Sequence, residues 1–98
     1  MAFNEKAKLA VIGLGNMGSF HVRDLAGMEN VHLAAVCDID REKADRFGEQ
    51  FSAPAFYDYR EMLEKVGLDG IIIATPHYDH TPMSIDAFQR GLHVLTEK

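Results

Sequence analysis

Apolar positions along the chain alternate between two rhythms, short unbroken runs and stripes at helical spacing. The first run, KLAVIG over 8–13, is nearly continuous, as a strand covered on both faces of a parallel sheet requires. From Asn16 to about Gly27 the pattern turns helical, with Phe20, Val22, Leu25 and Ala26 predicted on one broad apolar side. VHLAAVC (31–37) reads as the second strand. Asp40 then caps a helix whose apolar positions Ala44, Phe47 and Phe51 fall at i, i+3 and i+7. APAFY (53–57) is a short third strand, with Pro54 suited to its first residue or to an edge. Asp58 to Glu61 resembles a capping box; Tyr59, Met62, Leu63 and Val66 form the apolar side of the helix that follows, and Gly67 ends it. GIIIAT (70–75) is the most β-branched run of the chain. A last helix fits within 78–90, with Thr81 as cap, Pro82 in the first turn and Gly91 as stop, before the strand LHVLT (92–96). This β-α-β-α-β-α-β-α-β order predicts an α/β fold. The expected form is one Rossmann domain over 1–98, a doubly wound parallel sheet of about five strands in the order 3-2-1-4-5.

Between the first strand and the first helix stands Gly13-x-Gly15-x-x-Gly18. In that setting each glycine has its own task. Gly13 makes the tight turn, Gly15 lets a pyrophosphate approach the backbone, and Gly18 lets helix and strand pack closely. Asn16 and Met17 open the helix, whose N–H groups and dipole favour phosphate. Asp38 lies twenty positions past Gly18, at the end of the second strand, where a carboxylate can accept hydrogen bonds from a ribose diol. The spacing leaves three ligands open: a nicotinamide dinucleotide, FAD and S-adenosylmethionine.

Composition narrows the surroundings. A net charge of −5 with no Lys/Arg cluster argues against a nucleic-acid surface. The apolar run near the N-terminus is too short for a signal peptide or a membrane span. The single cysteine, Cys37, cannot form an internal disulfide and sits in a strand pattern, so a packed thiol in a reducing cytoplasm is expected. His77-x-x-His80 has the spacing of a metal pair, but zinc needs further ligands that no Cys/His cluster supplies, so no metal site is expected. His21, His32 and His93 read as partly exposed or strand-packing residues.

The stretches IIIATPHYDH and GLHVLTEK add the distinguishing marks. With Gly13, Gly15, Gly18, Asp38, Thr75-Pro76, His80 and Gly91-x-His93-Val94-x-x-Glu97-Lys98, the whole chain resembles the N-terminal domain of the Gfo/Idh/MocA oxidoreductases. One departure is His77, where the family usually has Asn. The resemblance implies NAD as cofactor and hydride transfer between nicotinamide and a sugar, polyol or related substrate. It implies cofactor contacts at Thr75, Pro76, His77, His80 and Glu97, and a catalytic role for Lys98 beside the nicotinamide. In the family this motif is followed by a substrate domain. The chain therefore reads as the cofactor half of such an enzyme, expected to be inactive by itself. The alternatives are a non-catalytic dinucleotide-binding or NAD-sensing module and, further off, an S-adenosylmethionine-binding domain. NAD is expected over NADP, because Asp38 repels a 2′-phosphate and Ile39 offers no guanidinium, although Arg41 is close in sequence. The uncharged strand 92–96, left at an edge, predicts a homodimer.

Overall fold

The computed structural model describes residues 6–75 and 80–96. Five strands and four helices alternate along it. They are β1 (Ala7–Ile12), α1 (Asn16–Ala26), β2 (Val31–Cys37), α2 (Arg41–Phe51), β3 (Ala55–Phe56), α3 (Tyr59–Lys65), β4 (Gly70–Ile73), α4 (His80–Gln89) and β5 (His93–Thr96). The sheet order is β3-β2-β1-β4-β5 and every pairing is parallel, as expected. β1 lies at the centre, running from Leu9↔Gly70 to Ile12↔Ile73 against β4 and ending on Cys37 of β2.

Two apolar layers enclose the sheet. On one face Val11, Val36 and Ile72 meet Val22 and Leu25 of α1 and Ala44 and Phe47 of α2. On the other, Ala10, Ile12, Ile71 and Ile73 meet Met62 and Leu63 of α3 and Ala87 of α4. Alternate residues of one strand thus serve opposite layers, which is why β1 and β4 read as unbroken apolar runs. Each large side chain so buried contributes roughly 1.5–3 kcal/mol relative to exposure.

The helix ends follow local chemistry. Asp40 caps α2 by accepting from the Lys43 N–H at 3.2 Å. Asp58 accepts from the Arg60 N–H at 2.9 Å, a tighter turn than the capping box expected there. α3 ends at Val66, whose N–H bonds the Met62 carbonyl, so Gly67 lies one residue past the cap. α2 closes on Ser52 in the left-handed region (φ 54°), an end the sequence did not signal.

Two expectations need correction. On α1 the buried stripe is Gly18, Val22 and Leu25, and both Phe20 and Ala26 are exposed. A helix laid close on a sheet buries only the row at i, i+4 and i+7, and the broad apolar side over-counted it. Thr81 is not the cap of α4, because the helix already begins at His80. Pro82 is tolerated as its third residue, since the first four N–H groups of a helix have no intrahelical acceptor.

Candidate dinucleotide-binding site

The carboxyl ends of β1, β2 and β4 converge on an open cleft of about 800 Å³. Gly13 forms its floor with φ 93°, in the left-handed region that side chains rarely adopt. A Cβ at Gly13 would stand 2.8 Å from the Thr75 nitrogen and 2.9 Å from the Ala74 carbonyl carbon, so the glycine also lets the loop lie against the end of β4. The Gly13 N–H donates to the Cys37 carbonyl at 2.8 Å and ties the turn to β2. At Gly18 a Cβ would collide with the Gly13 carbonyl oxygen, so α1 starts in direct backbone contact with the turn.

Gly15 differs from both. Its φ of −73° is available to any residue, and a Cβ there would meet nothing within 4 Å. Neither backbone conformation nor internal packing calls for glycine at this position. It lines the cleft immediately before the first N–H groups of α1, which lack intrahelical acceptors and carry the positive end of the helix dipole. An anion approaching that backbone needs the space a side chain would take. The loop therefore fits a pyrophosphate.

Asp38 and Ile39 line the same cleft beyond the end of β2. The Asp38 carboxylate already accepts two backbone hydrogen bonds, Oδ2 from Leu14 N–H at 2.8 Å and Oδ1 from Asp40 N–H at 2.9 Å. Ile39 is 90% exposed and offers an apolar surface there. Arg41 does not line the cleft; its guanidinium lies over the Tyr57 ring, 4.7 Å from the centroid. Thr75 lines the cleft at the end of β4, with its hydroxyl 3.9 Å from Met83 Sδ on α4. Asn16 and Met17 form the first residues of α1, and His80 the first of α4. Pro76, His77, Glu97 and Lys98 lie outside the described residues.

Four further lining residues carried no motif in the sequence. Tyr57, Tyr59, Arg60 and Lys43 also line the cleft. The Tyr59 hydroxyl donates to Asp86 Oδ2 at 2.6 Å and links α3 to α4. Burial, and then the Asp86 bond, push that phenol above its ordinary range. The readable signal is the aromatic run FYDY (56–59), which begins at the last residue of the short strand. Cys37 is buried as expected, and its thiol is pushed up to about 12 by desolvation, with Asp38 and Asp58 adding to it. Such a thiol stays protonated at neutral pH and is a packing group.

A parallel doubly wound sheet whose glycine loop and strand-two carboxylate share one cleft defines a dinucleotide-binding Rossmann domain. The finer assignment comes from comparison with known proteins. Residues 7–98 match the oxidoreductase family with an NAD-binding Rossmann fold, Gfo/Idh/MocA, and the chain belongs to that family. Among solved structures it is similar to myo-inositol 2-dehydrogenase from Lactobacillus plantarum, at 31% identity and TM-score 0.90 over 96% of this chain and 28% of that one. It is also similar to the WlbA dehydrogenase of Bordetella pertussis in complex with NADH and UDP-GlcNAcA, at 26% identity and TM-score 0.90 over 96% of this chain and 30% of that one. A curated relative, the alpha-N-acetylgalactosaminidase of Shewanella oneidensis, is 35% identical over 95% of this chain and 22% of its own length. The chain thus spans about a quarter of the relatives it matches.

Proposed function

We propose that this domain serves an enzyme that transforms a sugar or polyol with NAD, in preference to NADP, as its redox partner. The observation that carries the reading is Gly15, a glycine at the cleft that the fold itself does not need. The glycine loop and the start of α1 would hold the pyrophosphate, Asp38 the adenosine ribose, and Thr75 the cofactor at the β4 end. When bound, NAD supplies a two-electron hydride acceptor, and the domain supplies position and charge. Asp38 favours a ribose diol and opposes a 2′-phosphate of about −2 charge. With Arg41 stacked on Tyr57, Lys43 and Arg60 are the cations that line the cleft among the described residues. NADH is therefore expected to bind the chain about tenfold or more tightly than NADPH, and Asp38→Ser with Ile39→Arg to narrow or reverse the preference. Fluorescence titration with both cofactors measures this, and tighter NADPH binding by the unmodified chain sinks the assignment.

A second reading has support in the curated relatives, several of which are named glycosyl hydrolase family 109 proteins. Glycoside hydrolysis causes no net change in oxidation state. On that reading a full-length protein carrying this domain cleaves an N-acetylgalactosaminide while absorbance at the NADH band stays flat. A dehydrogenase instead raises that absorbance in step with product. One assay recording both signals separates the two.

Assembly is part of the proposal. Among the described strands β5 forms an edge, uncharged over His93–Thr96, with Leu95 53% exposed. Unpaired edge groups beside exposed apolar surface favour pairing with a second copy through a two-fold axis. Sedimentation of the 98-residue chain is expected to give a dimer mass, and a monomer across a wide concentration range rules this out.

A further inference from the structure

The glycine loop is pinned to the end of β2 at two consecutive amides. Gly13 N–H donates to the Cys37 carbonyl, and Leu14 N–H donates to the Asp38 carboxylate, each at 2.8 Å. The second pin joins residues 24 apart in sequence and is made by a side chain. The carboxylate is itself held, because its other oxygen accepts from Asp40 N–H at 2.9 Å, and Asp40 caps α2. The second pin falls one residue before Gly15 and the first turn of α1.

We propose that Asp38 is a positioning residue for the phosphate-binding loop as well as a reader of the ribose, so that one carboxylate sets both. The inference rests on the NAD-site reading above and extends it. A carboxylate has about four acceptor positions, two per oxygen. With one of each taken by a backbone amide, one on each oxygen remains for a diol. Pin and ribose recognition are therefore compatible. A 2′-phosphate is not, since repulsion that turns the carboxylate away also releases Leu14 and loosens the loop under the pyrophosphate. Discrimination against NADP then reaches beyond the ribose itself.

The two roles separate when the ribose hydroxyls are removed. If Asp38 acts only through the diol, a ligand without one binds wild type and variant alike. Removing the aspartate also removes a negative charge near an anionic ligand, which by itself tightens binding. A loss of affinity for such a ligand therefore has to come through the loop. The test titrates ADP and 2′,3′-dideoxy-ADP into wild type, Asp38→Ala and Asp38→Asn. Amide hydrogen exchange at Leu14 is followed in the ligand-free chains. Dideoxy-ADP is expected to bind Asp38→Ala about tenfold more weakly than wild type, the scale of a lost charge-assisted hydrogen bond. Asp38→Asn is expected to fall between, because its single carbonyl oxygen can serve Leu14 or Asp40 but cannot replace both carboxylate oxygens. The Leu14 amide is expected to exchange roughly tenfold faster in Asp38→Ala. Equal dideoxy-ADP affinity in wild type and Asp38→Ala, or an unchanged Leu14 exchange rate, overturns the proposal. If wild type binds neither ADP nor NADH, the NAD reading fails, and the exchange rate still decides the positioning role. Should Asp38→Ala not fold, Asp38→Asn carries both comparisons.

Discussion

Replacing Gly15 by alanine is expected to weaken NADH binding by roughly 10–100-fold, the loss of one or two charge-assisted hydrogen bonds to phosphate. The fold should hardly notice. The added methyl meets nothing within 4 Å, and φ −73° is ordinary for alanine. Alanine is a poorer helix cap than glycine, but it also restricts the unfolded chain, and these effects of about 0.5–1 kcal/mol oppose one another. A thermal melt therefore stays within about 3 °C of wild type while calorimetric titration registers the lost affinity. Unchanged NADH affinity in a folded Gly15→Ala variant would remove the main support for the site.

Gly18→Ala is expected to do the reverse, striking stability first. Its methyl falls on the Gly13 carbonyl oxygen, a backbone atom that can yield only if α1 lifts from the sheet. Such overpacking costs about 3 kcal/mol or more, against a gain of about 1 kcal/mol in helix propensity. For a domain whose total stability is about 5–15 kcal/mol, that is a large share. Urea unfolding followed by circular dichroism should show the midpoint fall sharply. A midpoint equal to wild type would mean that α1 does not sit so close. The two variants divide one motif into a binding glycine and a folding glycine.

Much of this architecture was legible in the chain. The sheet order, β2 over 31–37 and the Asp40 cap follow from period, β-branching and capping chemistry, all local. The failures lie where tertiary contact decides. Phe20 belongs to an apolar helix pattern, yet the close seat of Gly18 turns it to solvent. At the site, the glycines and Asp38 could be named because their spacing is sequential. Tyr57, Tyr59 and Arg60 lie in one short segment and Lys43 in another, and only the folded sheet brings both to the cleft that the glycines line. The bond from Leu14 to Asp38 was hidden for the same reason: sequence marks a carboxylate's position without saying which amides it will meet.

The central place of β1 has a consequence for the birth of the protein. One flank of that strand pairs with β2 soon after both are made, but the other waits for β4, and Lys8 bonds Asp69 across 61 residues. At about 5–20 residues per second of synthesis, the second partner arrives some ~3–12 s after the first strand has left the peptidyl-transferase centre. Throughout that interval the central strand of the sheet has an open side, for longer than a hairpin or helix needs to form. Nascent chains stalled before β4 has cleared the exit tunnel are thus the ones that a ribosome-bound chaperone should hold most tightly, and release should follow once it has emerged.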